Sequence, residues 1–171
     1  VYGSYVQSKM FHKGVRCVDC HDPHSVKLHT YTNQLCTRCH VPNEDNPTGF
    51  DTPDHHFHQS GTKGAQCVEC HMPHKTYMGI DKRRDHSIRI PRPDHTVKFG
   101  TPNACNQCHT DKDANWAADA VVKYKGPDRP KDVRHPAAFH AFRNGKPEAE
   151  RLLLETCRDP ESPAFTRAGA M

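Results

Sequence analysis

The apolar and polar residues of the chain follow two different patterns. Residues 1–112 are interrupted by Pro, Gly, Asn and Asp, which mark turns, and regular strand signals are scarce there. Residues 113–171 show helical periodicity, beginning with ANWAADAVVKYKG, which stops at Gly126. One face of that helix carries Trp116, Ala120, Val121 and Tyr124. The predicted fold class is therefore mainly α with much irregular chain.

Three more short helices are predicted after Gly126. HPAAFHAFRNG has Pro136 near its start, and KPEAERLLLETC has Pro147 at an early position. SPAFTRAGAM begins with Ser162 as its cap and Pro163 as its first residue. Short paired helices at this spacing predict α-hairpin repeats of the HEAT or tetratricopeptide kind.

The composition is unusual for a chain of this length. Only 34% of the residues are hydrophobic and the mean hydropathy is −0.91, which is a poor supply for an apolar core. In contrast, the chain contains 15 His and 9 Cys. Such a chain is either disordered or folded around something that is not protein, and the cysteine pattern decides between the two.

Four C-x-x-C pairs, CVDC, CTRC, CVEC and CNQC, are each followed directly by a histidine. C-x-x-C-H is the attachment signal of c-type haem, in which both sulfurs bond the porphyrin and the histidine reaches the iron. Zinc sites do not need a histidine after every pair, and disulfides do not explain the histidines. The sequence therefore predicts four covalently bound haem c groups. The attachment residues are Cys17, Cys20, Cys36, Cys39, Cys67, Cys70, Cys105 and Cys108, and the proximal iron ligands are His21, His40, His71 and His109.

These motifs divide the chain into a predicted tetrahaem cytochrome c domain, 1–112, and a helical repeat-like tail, 113–171. The ninth cysteine, Cys157, lies in the tail and is interpreted as a small buried apolar residue. The last helix reaches Met171 without a capping signal, and Val1 opens no signal region. We therefore expect the chain to be a fragment of a longer protein.

One phrase occurs twice, as GVRCVDCHDPH and as GAQCVECHMPH, and each copy ends in a second histidine. These histidines, His24 and His74, lie three residues beyond a proximal histidine. A ligand so near in sequence does not easily reach the far face of its own haem, but it can reach a neighbouring haem. The repeat thus suggests an axial ligand shared between haem-binding segments.

Eleven histidines remain after the four proximal ones, whereas four bis-histidine haems need only four distal ligands. A surface position is the alternative for each of them. The cluster DTPDHHFH is the densest source, and DHSIRIPRPDH offers two more. Met10 and Met72 are alternative sulfur ligands. Methionine ligation is less favoured because the chain offers so many histidines. The favoured distal ligands are His24, His86 and one or two of His55, His56 and His58, followed by His12 and His74, while His95, His135 and His140 are less favoured.

The formal charge of the chain is +4 before cofactors are counted. A ferric haem with two ionised propionates carries about −1, so four haems bring the total close to zero. Lys82, Arg83 and Arg84 are either propionate partners or a solvated basic loop. Nothing in the pattern indicates nucleic-acid binding, and no apolar run approaches the length of a membrane span.

Four stretches carry a family resemblance: VYGSYVQSKMFHKGVRCVDCHDPHS, HHFHQSGTKGAQCVECHMPHKTYM, DKRRDHSIRIPRPD and TPNACNQCHTDKDANWAADAV. With these, the chain resembles multihaem c-type cytochromes, in particular those similar to the tetrahaem electron acceptor of hydroxylamine oxidoreductase. It also resembles larger bacterial proteins that join such a haem domain to helical repeats. The likeness covers roughly residues 1–125 and, loosely, the tail. It implies electron transfer through closely packed haems.

The function predicted from these features is electron transfer through four haems with mostly bis-histidine ligation. One alternative is a multihaem oxidoreductase with one open haem that acts on a small nitrogen or sulfur compound. Another is a subunit of an extracellular cytochrome filament. The expected partners are redox proteins, with self-association or a larger multihaem assembly as further possibilities. Since c-type haem is attached outside the bacterial cytoplasm, a periplasmic or extracellular location is expected.

Overall fold

A computed structural model describes residues 1–44, 46–127 and 134–171. The chain divides into two compact units, Val1–Ile90 and Pro91–Met171. Regular structure is mainly helical, as predicted, and irregular chain joins the short helices. The first three haem motifs lie in the first unit, and the fourth lies in the second unit together with the tail.

The first unit consists of very short helices. Two of them end shortly before a helix-breaking residue, the second before Gly14 and the fifth before Pro73. Ser8 illustrates the local control, since its hydroxyl caps the second helix by accepting a hydrogen bond from the Phe11 amide at 3.1 Å. The helices are α1 (Tyr2–Tyr5), α2 (Lys9–His12), α3 (Gln34–Thr37), α4 (Pro53–His56) and α5 (Cys67–His71), and single 3₁₀ turns lie at Cys17–Asp19 and Lys63–Ala65.

A β-hairpin follows α5, although the sequence pattern predicted no strands there. Strand β1 (His74–Tyr77) pairs antiparallel with β2 (Asp81–Arg84), and His74 lies opposite Arg84. The turn between them holds Met78 at φ 52° and Gly79 at φ 80°. Backbone with positive φ allows a tight connection between two twisted strands. The basic residues of β2 thus lie on a strand rather than in a loop.

The second unit contains the predicted tail helices and one further helix. They are α6 (Pro93–Phe99), α7 (Ala114–Lys125), α8 (Arg134–Arg143), α9 (Ala149–Arg158) and α10 (Ala164–Gly169), with a 3₁₀ turn at Cys105–Gln107. Asp113 caps α7 by accepting a hydrogen bond from the Trp116 amide at 2.8 Å, and Gly126 ends it as predicted. Helix α9 packs against α8 and α10, and α6 packs against α7.

Two details of the tail differ from the predictions. Ser162 does not cap α10, because its hydroxyl hydrogen-bonds the Asp159 carboxylate at 2.9 Å and Pro163 takes the cap position. Cys157 is only half-buried, and its thiol contacts the Arg167 carbonyl at 3.6 Å. The buried residue of that helix is its neighbour Thr156, whose hydroxyl bonds the Leu152 carbonyl at 2.9 Å.

Few apolar side chains are buried in either unit. Among the described residues, the buried apolar side chains are Tyr5, Ala65, Pro93, Ala104, Ala117, Ala138, Ala141 and Ala170. Alanine supplies little apolar area, so protein side chains alone contribute little of the free energy that burial normally provides. In the described part of the chain, no helix is both long and apolar enough to cross a membrane.

Candidate haem-ligand sites

Each C-x-x-C-H motif forms one short helical turn. The backbone N–H of His21 donates to the Cys17 carbonyl at 2.9 Å, and His109 makes the same bond to Cys105 at 2.9 Å. His40 bonds the Cys36 carbonyl at 3.0 Å. The turn therefore presents two sulfurs and one imidazole from five consecutive residues, which is the arrangement that covalent haem attachment requires.

The structure pairs His21 of the first motif with His86. Their ring centres lie 6.4 Å apart and their ring planes differ by 23°. His86 follows β2 by two residues, so the hairpin brings it back towards the first motif within the same unit. The sequence ranked His86 among the favoured distal ligands without identifying its motif.

The third motif has a similar pair. The ring centres of His71 and His55 lie 6.2 Å apart, and the two planes differ by 16°. His55 lies on α4, for which Pro53 supplies the first residue. Of the three histidines in DTPDHHFH, His55 is the one that the described contacts place opposite a proximal histidine.

The spacing of both pairs fits an iron between them. A metal–imidazole bond is about 2 Å long, so two rings sharing one metal ion through Nε2 have centres about 6 Å apart. Aromatic rings in ordinary contact have centres about 4.5–7 Å apart, a range that includes this spacing as well. The residues of the first and third motifs therefore fit a six-coordinate haem iron.

Backbone carbonyls fix the orientation of these rings through their other nitrogen. The Nδ1 of His21 lies 2.8 Å from the Val26 carbonyl, and that of His86 lies 3.0 Å from the Arg84 carbonyl. His71 Nδ1 lies 3.0 Å from the Arg89 carbonyl. An Nδ1–H that donates to a carbonyl leaves Nε2 as the lone-pair nitrogen, which is how ligating histidines are oriented.

The backbone has positive φ at one of the residues whose carbonyl accepts from a histidine, and next to another. Val26 has φ 60°, and Ile88, which precedes Arg89, has φ 44°. Positive φ is strained for β-branched residues and persists where the surroundings enforce it. Burial also lowers the pKa of His71, which favours the neutral imidazole that binds metals.

Asn33 ties the second motif to the third. Its side-chain amide donates to the Ala65 carbonyl at 2.9 Å and to the Asp51 carboxylate at 2.7 Å. Its carbonyl oxygen accepts from the Cys67 amide at 3.0 Å. The Cys36 and Cys67 thiols interact, and this interaction is the main cause that raises the pKa of Cys36. The attachment sulfurs of two different motifs are thus neighbours.

The remaining predicted distal ligands lie in varied surroundings. His24 is exposed, and its amide bonds Asp22 at 3.2 Å. His12 is exposed on α2, with its ring centre 5.6 Å from that of Phe11. His74 lies in β1 opposite Arg84.

His58 packs against a glycine of the repeated phrase. A Cβ added at Gly64 would lie 2.3 Å from the His58 Cδ2, so only glycine leaves room for this ring. Its neighbour His56 has a buried Nε2 that makes no hydrogen bond among the described residues. Both histidines thus have features expected of a ligand, a fixed ring for His58 and an unused nitrogen for His56.

Two proximal rings have aromatic neighbours that the sequence did not reveal. The His40 ring lies 5.9 Å from Phe50, and the His109 ring lies 4.8 Å from Trp116. The sequence pattern also did not predict Asn33, Gly64 or Phe50 as residues of the site. Their sequence signals are weak, because a single Asn, Gly or Phe has no spacing that identifies its role.

Zinc was the main alternative use of the cysteine pairs. A structural zinc site needs four ligands gathered around one point. In residues 1–44, 46–127 and 134–171, no group of three or more His, Cys, Asp or Glu side chains could hold a metal ion.

Comparison with known families agrees with this geometry. The family described as cytochrome c552 matches residues 49–134, half of the chain, and includes the third and fourth motifs. The chain belongs to the cytochrome c552 family. This cytochrome also matches the family of cytochrome c554 and c-prime over residues 22–72. No curated protein and no solved structure matches it.

These matches establish that the protein is a multihaem c-type cytochrome with covalently bound haem c and its iron, and that it transfers electrons by c-type haem. Cytochrome c families are typically exported.

Proposed function

We propose that this cytochrome carries four closely packed haems, most of them with two histidine ligands, and serves as an electron relay. The observation that carries the proposal is the pairing of His21 with His86 and of His71 with His55 at the spacing of two ligands on one iron. An iron with both axial positions filled by the protein exchanges electrons without binding a substrate.

The haem supplies an iron that alternates between the ferric and ferrous states. The chain supplies the fixed surroundings. Paired cysteines hold the group covalently, and carbonyl-anchored Nδ1 atoms keep the imidazoles of His21, His71 and His86 in place. Ligands that do not move between oxidation states keep the reorganisation accompanying each electron transfer small.

Close packing of the haems is supported by the first unit alone. The second and third attachment points are neighbours, since the Cys36 and Cys67 thiols interact and Asn33 bridges the two motifs. The Cys20 thiol also lies near enough to Arg38 and Cys39 for their charges to affect its pKa, which burial mainly raises. Three motifs therefore share one small region.

For the haem at His40, we propose a distal ligand from the remaining candidates of Val1–Ile90, His58 first and then His12, His24 and His74, and we assign no distal ligand to the haem at His109. The fixed ring of His58 supports its rank. The alternative is an open iron at one of these positions, which would make the protein an oxidoreductase for a small nitrogen or sulfur compound.

We further propose that residues 1–112 form the tetrahaem domain and that residues 113–171 are HEAT-like or tetratricopeptide-like hairpins. The packing of α8 on α9 and of α9 on α10 supports the second part. The proposed location is periplasmic or extracellular. The proposed partners are redox proteins, together with further copies of the chain in a filament or a larger multihaem assembly.

Intact-mass analysis of the mature protein combined with a spectroelectrochemical titration tests the relay. We expect four haems by mass, four one-electron reductions, and a spectrum that cyanide and nitrite do not change. Fewer than four haems contradicts the proposed number. One haem that binds cyanide and turns over nitrite instead supports the oxidoreductase.

A further inference from the structure

Phe50 lies between His40, the proximal histidine of the second motif, and His55, the proposed distal ligand at the third motif. Its ring centre is 5.9 Å from that of His40 and 5.2 Å from that of His55. The ring planes meet at 82° and 84°, so both contacts are edge-to-face. His55 in turn lies opposite His71. A chain of ring contacts thus runs from the proximal histidine of the second motif to the ligand pair of the third.

The backbone holds Phe50 in this position from its N-terminal side. Gly49 is buried with φ 80°, and a Cβ there would lie 3.3 Å from the Pro42 Cγ. Its amide donates to the Asn46 carbonyl at 3.1 Å, which closes the turn that leads into Phe50. A glycine is needed here both for the positive φ and for the close approach to Pro42.

The C-terminal side is held as well. Asp51 accepts a 2.7 Å hydrogen bond from Asn33, the residue that joins the second and third motifs. Two residues beyond Asp51, Pro53 starts the helix that carries His55. Phe50 is therefore fixed to the same scaffold as both imidazoles, and its position is not that of a side chain free in a loop.

We propose that Phe50 is a positioning residue that sets the ring orientations of His40 and His55 at two haem irons. The inference rests on the proposed ligation of the second and third haems. A perpendicular aromatic edge on each imidazole restricts rotation about the iron–nitrogen axis. Because the angle between the axial ring planes controls the splitting of the iron d orbitals, Phe50 influences the electronic state of both haems.

The test compares Phe50→Leu with Phe50→Tyr in the mature, haem-loaded protein. Low-temperature electron paramagnetic resonance reports the g values of each low-spin ferric haem, which depend on the ring-plane angle. We expect Phe50→Leu to shift or broaden the signals of two haems, with haem content unchanged by mass. Phe50→Tyr retains the ring and should restore the parent spectrum.

Phe142→Leu is the matched control, because it makes the same substitution at a side chain that is 63% exposed. We expect its spectrum to equal that of the parent. If Phe50→Leu is not matured with full haem content, Phe50→Met replaces it, since methionine fills similar volume without a ring. A ringless variant with full haem content and parent g values overturns the proposal.

The variant His55→Ala separates a failure of the proposed ligation from a failure of the positioning role. If that variant keeps every haem low-spin, the assignment of His55 as a ligand is wrong and the proposed role of Phe50 is overturned with it. If His55→Ala creates one high-spin haem while the ringless Phe50 variant leaves all g values unchanged, only the positioning role is overturned.

Discussion

At the scale of single residues, the ligand pairs make the most direct prediction. His55→Ala and His86→Ala each remove one ring from a pair whose centres lie about 6 Å apart. We expect each variant to convert one haem from low-spin to high-spin while the haem content stays constant, because the cysteines that attach the haem are untouched. Optical spectra of the oxidised protein, with the high-spin charge-transfer band as the marker, check this.

His140→Ala serves as the control for both variants. His140 lies on α8, and its ring contact is with Phe99 at 5.3 Å rather than with a proximal histidine. We expect an unchanged spin state. A low-spin spectrum for either ligand variant would show that the corresponding ring does not bind iron.

The sequence predicted the attachment residues and proximal histidines from local spacing alone. It could only rank the distal ligands, because His86 lies 65 positions from His21 and their pairing depends on a hairpin that the sequence pattern did not predict. The glycines that begin the two copies of the repeated phrase also differ in their structural roles, which the sequence does not show. Gly14 has φ 90° with open space around its Cα, whereas Gly64 is needed because the His58 ring fills the space of a Cβ.

At the scale of elements, Asn33 is the main connection between α3 and α5. Replacing it with alanine leaves the Cys67 amide and the Ala65 carbonyl without their partner. An unsatisfied buried polar group costs about 1–3 kcal/mol. We therefore expect Asn33→Ala to lower the free energy of unfolding by about 2 kcal/mol, measured by guanidinium denaturation of the haem-loaded protein.

Asn144→Ala is the comparison, because its amide bonds the His140 carbonyl on the exposed surface of α8. Surface substitutions of this kind change stability by about 0.5 kcal/mol or less. Equal losses of stability in the two variants would mean that Asn33 does not link the motifs.

The first turn of α6 carries a pH-dependent pair. Arg92 donates two hydrogen bonds to Asp94, at 2.8 and 2.7 Å, and they lower the pKa of this carboxyl from 3.8 to about 2. A carboxyl whose pKa is lowered by folding stabilises the folded state at pH values above its unfolded-state pKa. This stabilisation is lost as the pH falls through the folded-state pKa. Since the pair is partly solvated, its contribution is on the order of 1 kcal/mol.

We expect Asp94→Asn to be less stable than the parent at pH 6 and the difference to disappear between about pH 4 and pH 2. Thermal unfolding of both proteins across that range measures it. A difference that stays constant with pH would show that the pair contributes no charge-dependent stability.

Elements with strong periodicity were predicted well, and short ones were not. Helix α7 was found from its apolar spacing and from Gly126, and the other tail helices from their prolines. The hairpin was missed because its turn uses Met78 at positive φ, which propensity does not favour. Helix α6 was missed because PDHTVKF has too few residues for a periodic pattern.

At the scale of the molecule, the buried apolar side chains of the described residues, which are alanines, a proline and a tyrosine, indicate that the haems supply most of the missing core. A variant with alanine at all eight motif cysteines should therefore lose most of its native structure in residues 1–90. Circular dichroism checks this, with Cys157→Ala as the control that keeps every attachment site. A fully folded haem-free variant would contradict the expectation.

The most direct test of the whole account is low-temperature electron paramagnetic resonance of the oxidised protein, with its haem content fixed by mass. The account predicts low-spin signals from the haems of the first and third motifs, with the rhombic shape of near-parallel imidazole planes, as the angles of 23° and 16° require. Added cyanide should leave these signals unchanged. The proposed ligation would be contradicted if neither His55→Ala nor His86→Ala increased the high-spin signal.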